Sequence, residues 1–228
     1  MDASLNLYKA EPTEPVVDKT LYQQLMGCLQ YLVTGTRPDL AFSVSFLSQF
    51  SDHPLEQHHL AAKRILRYLS GTKGLSLQYP RGKPAQLVGL SDASYANDLD
   101  ERRSYSGYAF YLGGCLISWA AKKQVSTSVS TTEAEYMALS LAARQAIWYR
   151  NGFIEFKLDI PIALKSDSTS AINIASNPVL HQRAKHIDTH YHYTRHELLR
   201  NHFTLEYITT DQNSADIFTK ALENSKHS

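Results

Sequence analysis

At 228 residues the chain has room for one large domain, or for a domain with a smaller module. Its 43% apolar and 20% charged residues exclude a disordered chain, and no apolar run approaches the length of a membrane span. A formal net charge of +1 leaves any phosphate binding to local clusters. Two distant cysteines, Cys28 and Cys115, argue against a Cys-based zinc site and predict a reducing, intracellular setting. The first residues lack the basic-then-apolar order of a signal peptide.

Residues 1–18 carry prolines and no periodicity, and read as a loose lead-in. Three helical patterns follow in residues 19–80. The first, "TLYQQLMGCLQYLV", opens with a capping-box pair, Thr20 and Gln23, and aligns Leu21, Leu25, Cys28, Leu29 and Leu32 on one stripe. The second, "RPDLAFSVSFLSQF", starts at Pro38 and places Leu40, Val44 and Leu47 on one side. The third, "HPLEQHHLAAKRILRYLSG", turns Leu55, Ile65 and Leu69 inward and Lys63, Arg64 and Arg67 outward, and stops at Gly71. The Pro- and Gly-rich stretch at 79–85 then reads as a linker.

Strand signals dominate next. "AQLVGLSDAS" is a β-rich run ending in an acid, and "SYSGYAFYLGGCLISWAA" reads as a hairpin around Gly113–Gly114. A long helix spans roughly 131–152. "PIALKSDSTSAINIAS" gives a strand, a polar turn and a short helix. A helix in "HIDTHYHYTRHELLRN", a strand in "FTLEYITT" and a last helix in "NSADIFTKAL", capped by Asn213 or Ser214, complete the order βββ-α-β-α-α-β-α over 84–222. That order predicts an α/β mixed sheet of five strands with helices on its faces. Residues 223–228 read as a tail.

The long helix carries two glutamates near its start. At about 100° per residue they fall on opposite faces. Glu133 lines up with Ser140 and Arg144, a stripe that reads as solvent-facing, and forms a capping box with Ser130. Glu135 lines up with Leu139, Ala142 and Ala146, the stripe facing the domain. A carboxylate there is costly unless it is paired or bound to a cation.

Three further acids sit at comparable places. Asp92 ends the first strand on the core-side parity of Val88 and Leu90. Asp167 ends the strand "IALKSD", and Asp216 lies in the first turn of the last helix. Each has an ordinary reading alone: a turn residue, an N-cap, and an acid favoured by the helix dipole. Together they would converge at one edge of the sheet, where four carboxylates cannot all stay ionised without cations. Two Mg²⁺ ions, with Mn²⁺ as the alternative, would satisfy them and suit in-line phosphoryl displacement.

"LVGLSDASYAND", "SVSTTEAEYMAL", "ALKSDSTSAINIA" and "YITTDQNSADIFTKAL" resemble the ribonuclease H domain of copia-type LTR-retrotransposon Pol polyproteins. "YQQLMGCLQYLVTGTRPDLAFSVSFLSQF" and "HHLAAKRILRYLSGTKGLSLQY" resemble the end of the reverse transcriptase, its thumb or connection region, in the same polyproteins. The resemblance implies a ribonuclease H-like domain at 84–222 preceded by a thumb/connection-like segment at 19–80. It implies that Asp92, Glu135, Asp167 and Asp216 are the catalytic, metal-binding acids. It also implies two-metal endonucleolytic cleavage of RNA in RNA/DNA hybrids during reverse transcription, with the rest of the reverse transcriptase polyprotein as partner. An intracellular location, in a cytoplasmic virus-like particle or the nucleus, and no membrane contact go with it. "MDASLNLY" resembles an internal stretch, so Met1 need not be a native start. No Y-x-D-D motif is present, and polymerase activity is not expected. Unlike many ribonucleases H, the stretch before Asp216 has no histidine; His202 and Asp211 are the nearest substitutes.

The segment "LHQRAKHIDTHYHYTRHELLRN" gathers Arg183, Lys185, His186, His190, His192, Arg195, His196 and Arg200. Three readings stand: a nucleic-acid backbone track, a solvated helix face, and a zinc site on His186/His190 or His192/His196. The resemblance favours the first, with Lys63, Arg64, Arg67 and Lys73 extending it. Ser94, Asn97, Ser104 and Ser168 are candidate donors to 2′-hydroxyls. A non-catalytic remnant that binds nucleic acid or reverse transcriptase is the rival function.

Overall fold

The computed structural model describes residues 7–9, 14, 17–177 and 188–221, and the side chains of all of these except 188–192. Helices α1 (Lys19–Gly35), α2 (Ala41–Ser48) and α3 (Glu56–Gly71) precede strands β1 (Leu87–Ser94), β2 (Tyr105–Leu112) and β3 (Cys115–Lys123). Then come α4 (Thr131–Glu155), β4 (Ile162–Ser166), α5 (Thr169–Ser176), α6 (Asp188–Leu199) and β5 (Thr204–Tyr207). The five strands lie in the order β3-β2-β1-β4-β5. β1 runs antiparallel to β2 and parallel to β4, and β5 is parallel to β4. This is the mixed sheet with flanking helices that the element order predicts, in the ribonuclease H-like form that the resemblance implies.

The hairpin turns on Gly113 and Gly114, both at positive φ (+57° and +79°), where two residues with side chains would be strained. β1 is alternately satisfied by the two sheet faces. Leu87 joins Phe110, Tyr136, Leu139, Ala142, Ala146 and Leu164 under α4 and α5. Leu90 joins Tyr105, Ala109, Ala215 and Phe218 beneath the three N-terminal helices. Those helices therefore pack on the sheet, opposite α4, through one continuous core that includes Tyr22, Leu29, Phe42, Val44, Leu47 and Ile65. The Tyr22 hydroxyl donates to the Leu47 carbonyl at 3.0 Å, and the Trp119 indole on β3 donates to the Val33 carbonyl at 3.0 Å.

Several local expectations are corrected by this packing. The cap of α1 is Asp18, which accepts from Leu21 N, rather than Thr20 with Gln23. Its buried stripe is Tyr22, Met26, Leu29 and Val33, with Leu21 59% exposed. The helix carries apolar residues on two sides, and the side with Tyr22, Met26, Leu29 and Val33 turns in, the Tyr22 hydroxyl bonded to the Leu47 carbonyl. α2 is buried nearly all round rather than along one stripe, because it lies between α1, α3 and β3. The expected last helix is a short 3-10 turn, Ser214–Phe218, entered at Asn213. Lys63, Arg64 and Arg67 do lie exposed on α3.

Candidate metal centre

The parallel register of β1 and β4 ends with Ser91 opposite Ser166. One residue further along each strand lie Asp92 and Asp167, so neighbouring chains deliver two carboxylates to the same end of the sheet. Glu135 arrives from the second turn of α4. One side-chain oxygen from each of Asp92, Glu135 and Asp167 lies within 4.8 Å of the others. The two glutamates of α4 take separate roles, but their exposure does not divide as the helix phase predicts: Glu135 is partly rather than fully buried. Glu133 is 4% exposed rather than solvent-facing, and Ser140 on the same stripe is fully buried. α4 is covered on one side by β1, β2 and β4 and on another by α5 and α6, which buries Glu133 and Ser140 and leaves Arg144 of that stripe exposed. Glu133 nonetheless has its ordinary role: its N–H is capped by Ser130 Oγ at 3.2 Å, and its Oε2 accepts from Val129 N at 2.9 Å.

Each acid of the cluster is held differently. Asp92 is 3% exposed and accepts from the Thr219 hydroxyl. Burial pushes its carboxyl up to about 6, against the Thr219 hydrogen bond and with help from the charge of Asp216. Glu135 is pushed up to about 9 by burial, then by the charges of Asp92 and Asp167, although a backbone hydrogen bond from Ala93 favours the anion. Its Oε2 is buried without a partner among the described residues. Asp167 accepts from Thr210 Oγ1 at 2.7 Å and from Asn213 Nδ2 at 3.3 Å.

Asp216 stands slightly apart. It is 7% exposed, near enough for its charge to raise Asp92, but it is not one of the three acids whose oxygens share the 4.8 Å cluster. Its Oδ2 pairs with Lys220 Nζ at 3.0 Å, and its Oδ1 is buried without a partner among the described residues. Gly107 makes this placement possible. It sits opposite Asp92 on β2, and a Cβ there would lie 2.8 Å from both Phe218 Cβ and Thr219 Cγ2. Without that side chain the 214–218 turn presses against β2 and brings Thr219 and Asp216 to Asp92.

The donor set fits a hard divalent cation. Three carboxylates converge, two buried oxygens lack partners, and no histidine or cysteine belongs to the group. Unpaired acids so placed are costly, and a cation removes that cost.

Four supporting residues escaped the sequence reading: Thr210, Asn213, Thr219 and Lys220. Asn213 was legible only as a cap, a role it has through Ala215 N at 3.2 Å. Its amide also bridges the Ser91 carbonyl at 3.0 Å to Asp167. Their only signal is polarity among the apolar residues around Asp216. Of the candidate 2′-hydroxyl donors, Ser104 is fully buried and braces Ala96 N at 3.0 Å, so it cannot meet a ligand. Ser168 caps α5 through Ala171 N. His202 is engaged with Glu197 Oε2 at 2.6 Å, and Asp211 is exposed in the Thr210–Gln212 turn.

In the basic segment, Arg183, Lys185 and His186 lie outside the described residues, as do the side chains of His190 and His192. Arg195 is half-buried on α6, and His196 contacts Glu197 Oε1 at 3.2 Å. Among the described residues no metal-ligand group includes a histidine. No helix among them is long and apolar enough to cross a membrane.

No family model matches the chain. The retrovirus-related Pol polyprotein from transposon TNT 1-94 of Nicotiana tabacum is 38% identical over 209 residues, 91% of this chain. The chain spans only 16% of that relative's length. A solved foamy viral protease-reverse transcriptase dRH, in complex with double-stranded DNA, aligns with 87% of this chain and 33% of its own. Its TM-score is 0.56 at 18% identity, a likeness of fold. LC11-RNase H1 in complex with an RNA/DNA hybrid aligns with 59% of this chain and 94% of its own, with a TM-score of 0.46 at 13% identity. Along 91% of its length the chain is homologous to retrovirus-related transposon Pol polyproteins, of which it spans a small part.

Proposed function

We propose that residues 84–222 are the ribonuclease H domain of a copia-type retrotransposon, which cleaves the RNA strand of RNA/DNA hybrids during reverse transcription. Residues 19–80 are then the thumb or connection end of the reverse transcriptase. The observation that carries the reading is the convergence of Asp92, Glu135 and Asp167 within 4.8 Å, with a buried Glu135 oxygen lacking a partner.

Asp92, Glu135 and Asp167 would hold divalent cations, Mg²⁺ or Mn²⁺, with Asp216 beside them. Such ions supply charge stabilisation and a nucleophile at neutral pH. The chain's own residues orient the acids: Thr219 fixes Asp92, while Thr210 and Asn213 fix Asp167. Outer hydrogen bonds of this kind set ligand direction. Lys63, Arg64 and Arg67 on α3, with Arg183, Lys185, His186, His192 and Arg195, would meet the hybrid's phosphates, which position the substrate without selecting sequence.

The test is a labelled RNA/DNA hybrid incubated with Mg²⁺ or Mn²⁺, comparing wild type with Asp92→Asn and Glu135→Gln. RNA-strand cleavage by the wild type, and a loss of about a thousandfold or more in both folded variants, is expected. The non-catalytic reading draws on the pairing of Asp216 with Lys220. Hybrid that is bound but left intact with either metal would establish it.

A further inference from the structure

The acids at the site are not neutralised evenly. Lys220 Nζ lies 3.0 Å from Asp216 Oδ2, and its side chain is 38% exposed, so the ammonium contacts Asp216 and still has a path to water. The backbone around Asp216 is pinned. Its N–H donates to the Asn213 carbonyl at 3.2 Å, and its carbonyl accepts from Thr219 N at 3.2 Å and Thr219 Oγ1 at 3.1 Å. Thr219, fully buried, also donates to Asp92. With the backbone at Asp216 fixed, the partner with the longer and more exposed side chain is the lysine.

We propose that Lys220 is a built-in counter-ion that holds Asp216 out of the metal centre. One divalent cation binds tightly on Asp92, Glu135 and Asp167, and a second binds only by displacing Lys220 from Asp216. This rests on the metal-dependent reading of the same site. An ammonium and a divalent ion competing for one carboxylate repel each other across a few ångströms in a poorly solvated site. At an intermediate effective dielectric that repulsion weakens binding by roughly tenfold or more.

The experiment is a Mn²⁺ titration of the full chain without nucleic acid, with free Mn²⁺ read by electron paramagnetic resonance. Wild type should show one tight site and a second at least about tenfold weaker. Lys220→Met should tighten the second site by about tenfold with a smaller change at the first, while Lys220→Arg, which keeps the charge, should resemble wild type. Adding Asp216→Asn to Lys220→Met should abolish the gain. Unchanged affinities in Lys220→Met, or a gain that survives loss of Asp216, would overturn the proposal while leaving the metal centre intact. Should Lys220→Met not fold, Asp216→Asn alone decides. A tight site unchanged within about threefold supports the proposal, and its loss overturns it. Absence of Mn²⁺ binding in every folded protein would sink the metal reading and this inference with it.

Discussion

Two acid clusters flank β1, and they are built on opposite principles. In the β1–β2 loop, Asp98, Asp100 and Glu101 meet a matching set of bases. Lys123 reaches Asp98 at 2.9 Å and Glu101 at 3.3 Å, Arg103 reaches Glu101 at 3.1 Å, and Lys9 pairs with Glu101 while its N–H donates to Asp100. At the end of the same strand, Asp92, Glu135, Asp167 and Asp216 share the single ion pair recorded to Lys220 among the described residues. Burial alone does not separate the two, since Asp98 is 1% exposed and Asp92 3%. Completeness of pairing does. The balanced cluster staples the N-terminal arm and β3 to a loop, whereas the unbalanced one is left short of positive charge, as the proposed cation-binding centre requires.

The contrast can be broken from either side. The largest effect expected is for Asp98→Asn, which leaves Lys123 without its buried partner and should cost about 3 kcal/mol in chemical denaturation. Saturating Mn²⁺ should stabilise the wild type by about 2.7 kcal/mol at a hundredfold excess over the dissociation constant, read as a rise in melting temperature that chelation reverses. Asp92→Asn should lose most of that rise, and Asp98→Asn should keep it.

A smaller effect has a pH signature. The folded carboxyl of Glu135 titrates at about 9 against an ordinary 4.5, so over that range the native state retains a proton that the unfolded chain has lost. Stability of the metal-free protein must then fall as pH rises through this window. Glu135→Gln has no proton to lose. It should melt a few degrees above wild type at pH 8 without metal and match it near pH 4. A difference independent of pH would mean that the carboxylate is solvated. The smallest change is expected for Lys9→Ala, whose exposed pairing should leave the denaturation midpoint nearly unmoved.

Much of the site was legible because each acid belongs to a short local pattern. Asp92 and Asp167 close β-rich runs, and a helix phase separates Glu135 from Glu133. What was illegible depends on contacts distant in sequence. The amide of Asn213 reads as a helix cap until Ser91 and Asp167, far earlier in the chain, come within its reach. The supposed solvent stripe of α4 holds at Arg144 but failed at Glu133 and Ser140 for a similar reason, because one helix's periodicity cannot say how many layers will cover it.

The amino-acid sequence by itself determined the element order, the five strands and the hairpin at Gly113–Gly114, since these follow from side-chain period and local turn chemistry, and it singled out the acids as candidates. Only the tertiary structure decided that the three N-terminal helices lie on the sheet face opposite α4, and that Tyr22 rather than Leu21 turns inward. It also decided that Lys220 stands against Asp216. Those outcomes are set by which surfaces meet across long stretches of chain, as Gly107 meets the 214–218 turn and the Tyr22 hydroxyl meets the Leu47 carbonyl.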